Sequence, residues 1–461
     1  MIISITVPER YCTGRVPPSD PSVCYVAPTL VVLPPSRASA LSFVRHHTDR
    51  RRDGESDRVI MSIIALLALG SIAMPATSSA DATFAAAWQP LRHLLSRWPY
   101  TDNFLVEVGN ASGIVFRYSH GTMTPSTPVG TASTSKWPMA MAITGSVADG
   151  SIRSLDSKVG DYIPWWTKNA SDIRFNITLR HLLSFTSGFG EGKPGKESYM
   201  GLPCMGWQNV TFDSCARQVH DKVEMMCRPG DCFSYNSNHL KLAGAMVMHA
   251  TGLPIQGVLD RYLSQGLRMA SSHCSYTPEG ASRPIRTPNP DLAVCLTTTG
   301  RDYGMFLDGM LRRTILTPEV IRESERDYTP GDMMGEGYTL YGHYGFGHFL
   351  ECFDSYAGFT KECAAAQVHC DPGAFGYYPL LDRRYGYWAQ VVAYEHGMAY
   401  PRSGIPEYLR VLMKPYIDLI VRGKDPYDAK NADSLKTLSM DALDYVNDCY
   451  FHPAHCLFMN R

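Results

Sequence analysis

The stretch TASTSKWPMAMAITGSVADG, residues 131–150, sets a serine hydroxyl three residues ahead of a lysine amine at the entrance to a long apolar run. In a helix, positions i and i+3 lie on one face about one turn apart, so the Lys136 amine folds back toward the Ser133 Oγ. A serine hydroxyl is a weak nucleophile near neutral pH and needs a partner to take its proton. Lysine does this once burial or neighbouring positive charge lowers its pKa. If Ser133 sits at a helix N-terminus, unpaired backbone N–H groups and the dipole also favour a developing anion. Ser133/Lys136 is the only Ser-x-x-Lys pair in the chain, and its geometry suits acyl transfer. Two such common residues also fit a solvated first turn, so the pair is weighed against its surroundings. Pro138 removes an N–H that an established helix would use. The regular helix is therefore expected to begin only after Lys136, leaving Ser133 on a tighter turn, and to stop at Asp149-Gly150.

Ahead of this stretch, Phe84 to Trp98 carries apolar residues at helical spacing, with Pro90 as a kink or the true start. Phe104 to Val108 and Ile114 to Tyr118 alternate like a β-hairpin. Two strands followed by the Ser133 helix predict a mixed α/β domain. Residues 155 to 330 read as helical segments and polar loops without an internal repeat, clearest at Leu240 to His249 and Ile255 to Leu267. Strand patterns return at Tyr377 to Leu381 and Tyr387 to Tyr394, joined through Asp382-Arg383-Arg384 as an antiparallel hairpin. Ile405 to Val421 is an amphipathic closing helix. With strands at both ends and helices between, the two ends are expected to share one sheet.

The 461 residues balance 43 Lys and Arg against 44 Asp and Glu, and 44% are hydrophobic. This suits a globular chain with a substantial core and gives no support to nucleic-acid binding. Residues 1–60 are Pro- and Arg-rich without periodicity, and read as a disordered or spurious arm. The apolar run VIMSIIALLALGSIAM (59–74), followed by small residues to Ala82, reads as a signal peptide over 61–82. It is short for a membrane span, so no stable span is expected, with a short anchor as the rival reading. Sequons at Asn110, Asn169, Asn176 and Asn209 all follow that segment and point to a glycosylating compartment. Two of the 13 cysteines, Cys12 and Cys24, lie in the arm. The close pairs Cys204/Cys215, Cys227/Cys232, Cys363/Cys370 and Cys449/Cys456 are candidate disulfides of an oxidising compartment, secreted or lumenal. No cysteine spacing or HExxH motif supports a metal site, and no cofactor is expected.

Several blocks, in order, resemble the serine β-lactamase-related family of class C β-lactamases, D-Ala-D-Ala carboxypeptidases and esterases. They are SIRSLDSKVGDYIP (151–164), ITLRHLLSFTSGFG (177–190), PGDCFSYNSNHLKLAGAMVMHATGLP (229–254), LTTTGRDYGMFLDGML (296–311) and ILTPEVI (315–321). Collinear agreement over most of the chain is more specific than any single motif. The resemblance implies an α+β fold of the β-lactamase/transpeptidase type: an antiparallel sheet flanked by helices, plus a mainly helical subdomain. The domain would span 83–423, and residues 424–461 form a Cys-containing extension.

The family's second motif is Tyr-x-Asn or Tyr-x-Ser. Tyr235-Asn236-Ser237 matches it, which implies a proton-handling role for Tyr235 and substrate binding for Ser237. A phenol beside a lysine ammonium has its anion stabilised, so Tyr235 is expected to share the Ser133 proton with Lys136. The bland reading is a buried core tyrosine. Asn238 falls one place late for the pattern. The third motif, Lys or His then x-Gly, is best placed at His369-Cys370-Asp371-Pro372-Gly373-Ala374-Phe375-Gly376, two residues longer than His-x-Gly. The rival is His343-Tyr344-Gly345. The resemblance implies an oxyanion hole from the Ser133 N–H and a second N–H near Gly373, Ala374 or Phe375, where glycine admits close approach.

The function implied is a secreted serine hydrolase. It would form an acyl-enzyme at Ser133 with Lys136, Tyr235 and His369 as catalytic residues, and act on an ester, a D-amino-acid peptide or a β-lactam. The alternative is a catalytically inactive glycoprotein that keeps the fold as a binding or structural module, motivated by the altered third motif and the extra cysteines.

Overall fold

A computed structural model describes residues 85–190, 201–276, 284–329, 341–351, 360–394, 405–428 and 430. The sequence expectations for the N-terminal arm, the signal segment and the Cys449/Cys456 pair lie outside the described residues.

Seven antiparallel strands form the main sheet in the order β2-β1-β11-β10-β9-β8-β7. Their ranges are β1 Phe104–Asn110, β2 Gly113–His120, β7 Tyr341–Tyr344, β8 Phe349–Glu351, β9 Val368–Cys370, β10 Tyr377–Asp382 and β11 Tyr387–Ala393. The first hairpin meets the last through β1 and β11, in register from Phe104↔Ala393 to Asn110↔Tyr387. The two chain ends therefore share one sheet, as the alternating patterns imply. Strands β10 and β11 are buried along their whole length, because helices cover both faces. On one face the Tyr387 hydroxyl donates to Asp418 of the closing helix Ile405–Val421 at 2.7 Å. On the other, Gln390 Nε2 donates to the Gly300 carbonyl at 2.7 Å, at the start of the helix Gly300–Arg312. Alternation along one strand thus serves two helical layers. A helix over Gln89–Ser96 begins with Pro90 in its first turn, so the proline marks the start and no kink.

A small second sheet, β3-β6-β4-β5, is built from Val129–Gly130, Leu296–Thr298, His273–Tyr276 and Ile285–Arg286. Its role is positional: β3 pairs with β6 and leads directly into the serine turn. There, Ala132–Ser135 form a 3₁₀ turn and the α-helix, α1 here, runs Lys136–Ala148. Pro138 falls in its first turn, where the missing N–H would have had no intrahelical partner. Eleven consecutive residues, Lys136 to Ser146, are buried. A helix apolar on all sides is a core helix, and this one lies between the sheet and the helical layer. That layer includes α2, Asn238–Thr251, with Ser237 as its N-cap.

Three disulfides join Cys204–Cys215, Cys227–Cys232 and Cys274–Cys295. The first two match the close sequence pairs, whereas Cys274–Cys295 is a partnership their spacing does not suggest. The expected Cys363/Cys370 pair is not formed. Cys363 is disulfide-bonded, while Cys370 is a buried free thiol whose strand turns it toward the Glu351–Arg410 ion pair. Among the described residues no single helix is long and apolar enough to cross a membrane.

Candidate active site

The nucleophile turn is fastened on both sides. Thr131 donates its N–H to the Leu296 carbonyl at 3.0 Å, and the Ser135 hydroxyl accepts the Leu296 N–H at 3.0 Å. On the sheet side the Thr134 hydroxyl reaches the carbonyls of Asp371 and Tyr377 at 2.7 and 2.8 Å. Ala132, at φ 49°, is held in the left-handed region, a cost of order 1–3 kcal/mol that surrounding contacts must offset.

Lys136 Nζ donates to Ser133 Oγ at 2.9 Å and to the Ala293 carbonyl at 3.0 Å. It also lies 4.5 Å from the centre of the Tyr235 ring. Burial lowers the pKa of this amine to about 8, with the carboxyls of Asp371 and then Asp291 acting against that fall. The neighbouring Ser133 and Lys136 are therefore joined at one point by Tyr235, about a hundred residues further along the chain. Tyr235 is held by stacking on Phe349, ring centres 5.4 Å apart, and by the edge of Tyr344. Burial, and then Asp371, push its phenol well above the ordinary range, opposed by the Ser133 hydroxyl. This corrects the expectation of a stabilised phenolate: the desolvation cost exceeds the help of the lysine, and Tyr235 stays a neutral phenol.

The other predicted residues are placed as follows. Ser237 is buried near the Asp291 carboxyl, and its hydroxyl oxygen makes no hydrogen bond within the described residues. The neighbouring amides are structural: Asn236 Nδ2 donates to the Phe189 carbonyl at 3.1 Å and Asn238 Nδ2 to the Gly190 carbonyl at 2.9 Å. His369 is not brought to the hydroxyl of Ser133. Its Nδ1 meets His348 Nε2 at 3.1 Å, its Nε2 is buried without a partner, and its ring neighbours Trp137. Burial lowers its pKa to about 3, so it is a neutral imidazole. His343 pairs with Asp327. Gly373 packs directly on the serine turn, where a Cβ would overlap the Thr131 carbonyl and the Thr134 hydroxyl. Its N–H is bonded to the Tyr377 carbonyl at 2.9 Å, and Pro372 has none. Of the expected oxyanion donors near Gly373, that glycine's own N–H is thus already taken, whereas Ala374 is exposed.

Sequence reasoning missed three titratable groups around Lys136, two of them carboxyls that burial pushes upward. Asp371 and Asp291 face it, and Lys241, on α2, faces Asp291. Lys241 is buried, with Nζ donating to Asn289 Oδ1 at 2.8 Å and to the Pro290 carbonyl at 2.7 Å. That holds the 289–293 segment whose Ala293 carbonyl receives Lys136. The available signal was a lysine in the otherwise apolar run LKLAGAMVM (240–248). Among the described residues, no group of three or more His, Cys, Asp or Glu is placed to hold a metal ion.

A seven-stranded antiparallel sheet, a helical layer and a buried Ser-x-x-Lys turn between them define the β-lactamase/transpeptidase-like fold. The chain belongs to the β-lactamase family, whose model matches residues 106–378. Among solved structures it is similar to a candidate β-lactamase from Bacteroides dorei, at 25% identity over 68% of this chain and 92% of that one, TM-score 0.52. It is also similar to EstCE1, described as a hydrolase with promiscuous acyltransferase activity, at 19% identity over 70% and 98%, TM-score 0.52. Simvastatin synthase from Aspergillus terreus follows at 15% identity over 73% and 97%, TM-score 0.51. The last two likenesses concern the fold alone. No curated protein sequence matches. The family and these neighbours are hydrolases and acyl-transfer enzymes on the serine β-lactamase fold.

Proposed function

We propose that the protein is a serine hydrolase that forms an acyl-enzyme at Ser133 on an ester, a D-amino-acid peptide or a β-lactam. The observation that carries this reading is the 2.9 Å contact between the Lys136 amine and the Ser133 hydroxyl, made by a lysine whose burial brings its pKa to about 8. Lys136 takes the hydroxyl proton as Ser133 Oγ attacks the carbonyl carbon. Tyr235, a neutral phenol in contact with both, passes a proton to the leaving group and is reprotonated from Lys136. Ser237 borders the substrate, and the N–H groups of Ser133 and Ala374 receive the oxyanion. The domain spans residues 83–423, follows a cleaved segment at 61–82, and is secreted and glycosylated; three disulfides support the oxidising compartment.

The test is covalent. A fluorophosphonate or a penicillin-type probe should add its mass to Ser133, and Ser133→Ala should remove the adduct. Labelling that persists in that variant refutes the assignment. A second reading, a non-catalytic module, draws on the Gly373 N–H being occupied and on His369 facing His348. It expects no adduct at any pH and no hydrolysis of p-nitrophenyl esters. Esterase turnover that disappears in Lys136→Ala excludes it.

A further inference from the structure

The turn that carries Ser133 is gripped by a second hydroxyl of its own. Ser135, one residue before Lys136, is fully buried. Its Oγ donates to the Ala132 carbonyl at 2.6 Å, accepts the Leu296 N–H at 3.0 Å and lies 3.1 Å from Thr131 Oγ1. Thr131, also buried, sends both its N–H and its hydroxyl to the Leu296 carbonyl, each at 3.0 Å. Two residues of the turn thus hold one residue of β6, and one of them reaches back to Ala132, whose φ of 49° is left-handed. A 3₁₀ turn closes with backbone hydrogen bonds of poorer geometry, so the side-chain bond adds restraint where the backbone is strained.

Ala132 and Ser133 share a peptide unit. That unit is planar and trans, so its carbonyl and its N–H point in opposite directions, and a hydroxyl that fixes the Ala132 carbonyl also fixes the Ser133 N–H. Among the described residues no acceptor is hydrogen-bonded to that N–H. Given the acylation reading above, we infer that Ser135 is a positioning residue that aims the Ser133 N–H at the oxyanion formed as Ser133 Oγ attacks. The Lys136 amine has its own partners, Ser133 Oγ and the Ala293 carbonyl, so the basicity of the lysine and the aim of the N–H are held by different contacts. Without the Ser135 hydroxyl, Ala132 relaxes from its left-handed conformation and the peptide unit it shares with Ser133 turns with it.

The test changes the atom that the N–H would bind. A thiocarbonyl sulfur is larger than a carbonyl oxygen and a weaker hydrogen-bond acceptor, so its ester gains less from an oriented N–H. Acylation is followed as p-nitrophenolate release from p-nitrophenyl acetate and from its thiono analogue. Ser135→Ala should slow the oxygen ester by about 10²-fold, the scale of one lost oxyanion donor. KM should change little, because the oxyanion is absent from the bound ground state, and the thiono ester should slow by a much smaller factor. Ser135→Thr, which keeps the hydroxyl, should recover most of the rate on the oxygen ester. Equal losses on the two esters overturn the proposal, since a hydroxyl that supported only the fold or the Ser133 Oγ would slow both alike. So does a Ser135→Thr protein that melts with the wild type yet is as slow as Ser135→Ala. Should Ser135→Ala not fold, Ser135→Cys retains the volume with only a weak donor, and the same unequal losses are expected of it; failure of both to fold assigns the hydroxyl to the fold alone and overturns the proposal as well. A wild-type protein that takes no fluorophosphonate on Ser133 refutes the acylation reading instead, so the two failures are told apart.

Discussion

Gly373→Ala is the smallest change that should disturb the serine turn from outside it. An added Cβ would lie less than 3.0 Å from both the Thr131 carbonyl oxygen and the Thr134 hydroxyl, and 3.2 Å from Thr134 Cβ. Thr134 cannot rotate away cheaply, because its hydroxyl is shared between the carbonyls of Asp371 and Tyr377. The Thr131 carbonyl is backbone and cannot move alone. The turn carrying Ser133 must therefore retreat from the sheet, by about 1 Å if ordinary contact is to be restored. Overpacking of this kind costs about 3 kcal/mol, which in a domain of this size is roughly 6 °C in Tm. A misplacement of about 1 Å at a reacting group costs about 10²-fold in rate. The prediction is a matched pair of losses, read by thermal melting and by the rate of fluorophosphonate labelling at Ser133. Gly206→Ala is the control, since a Cβ there meets nothing within 4 Å. A Gly373→Ala protein that melts within about 1 °C of wild type refutes the reasoning, because the turn would then be free to give way.

Two further outcomes concern stability. Arg410 and Glu351 form a bidentate pair at 2.6 and 2.7 Å, with both side chains buried between the sheet and the closing helix; Arg410→Met should cost about 3–5 kcal/mol by stranding the carboxylate, and Arg410→Met with Glu351→Leu should recover much of that in urea unfolding. His348 and His369, both buried, have pKa values lowered to about 3, and His239 to about 4, chiefly by desolvation. Their folded values lie below the unfolded value near 6.5, so this stabilisation is complete above pH 6.5 and is lost as pH falls toward the folded values. Each histidine should contribute a slope of about 1.4 kcal/mol per pH unit between pH 6 and 4, and urea titrations at pH 7, 6 and 5 should show the loss; a stability that is flat over this range refutes the burial of these rings as neutral groups.

What could be read from the sequence, and what could not, divides along physical lines. Hydrophobic period and turn residues are local, so the hairpin at residues 104–118, the strands at 377–394 and the tighter turn carrying Ser133 ahead of the helix are all legible, although the helix starts at Lys136 itself and not after it. Ser133 and Lys136 were legible because helical geometry alone brings i and i+3 together. Side-chain direction at the end of a strand is a tertiary property. Nothing in His369-Cys370-Asp371 announces that the imidazole will pair with His348 and the carboxylate will reach the Trp137 N–H. The same limit hid Cys274–Cys295, whose partners are 21 residues apart, and made the adjacent Cys363 and Cys370 look like a pair. For Tyr235 the error was one of magnitude. Sequence adjacency to a motif suggests the attraction of the ammonium for a phenolate, whereas the cost of burying that phenolate depends on the tertiary structure.

In the proposed acylation, that magnitude favours one candidate over the other as the group that would remove the serine proton. With its pKa at about 8, Lys136 is the free amine in about one molecule in ten at pH 7, already hydrogen-bonded to the hydroxyl it would deprotonate. Tyr235, pushed upward from an ordinary value of 10.0, is ionised in fewer than about one molecule in a thousand at the same pH. A phenolate mechanism would therefore begin at least about a hundredfold behind. The neutral phenol is better suited to the second half of the step, since it can donate to a leaving group while Lys136, now charged and 4.5 Å from its ring, resupplies the proton. In the proposed acylation the lysine supplies basicity and the tyrosine supplies direction. Tyr235→Phe should accordingly slow turnover of substrates with poor leaving groups far more than labelling by a fluorophosphonate, whose fluoride needs little protonation. Equal losses on both would return the base to Tyr235.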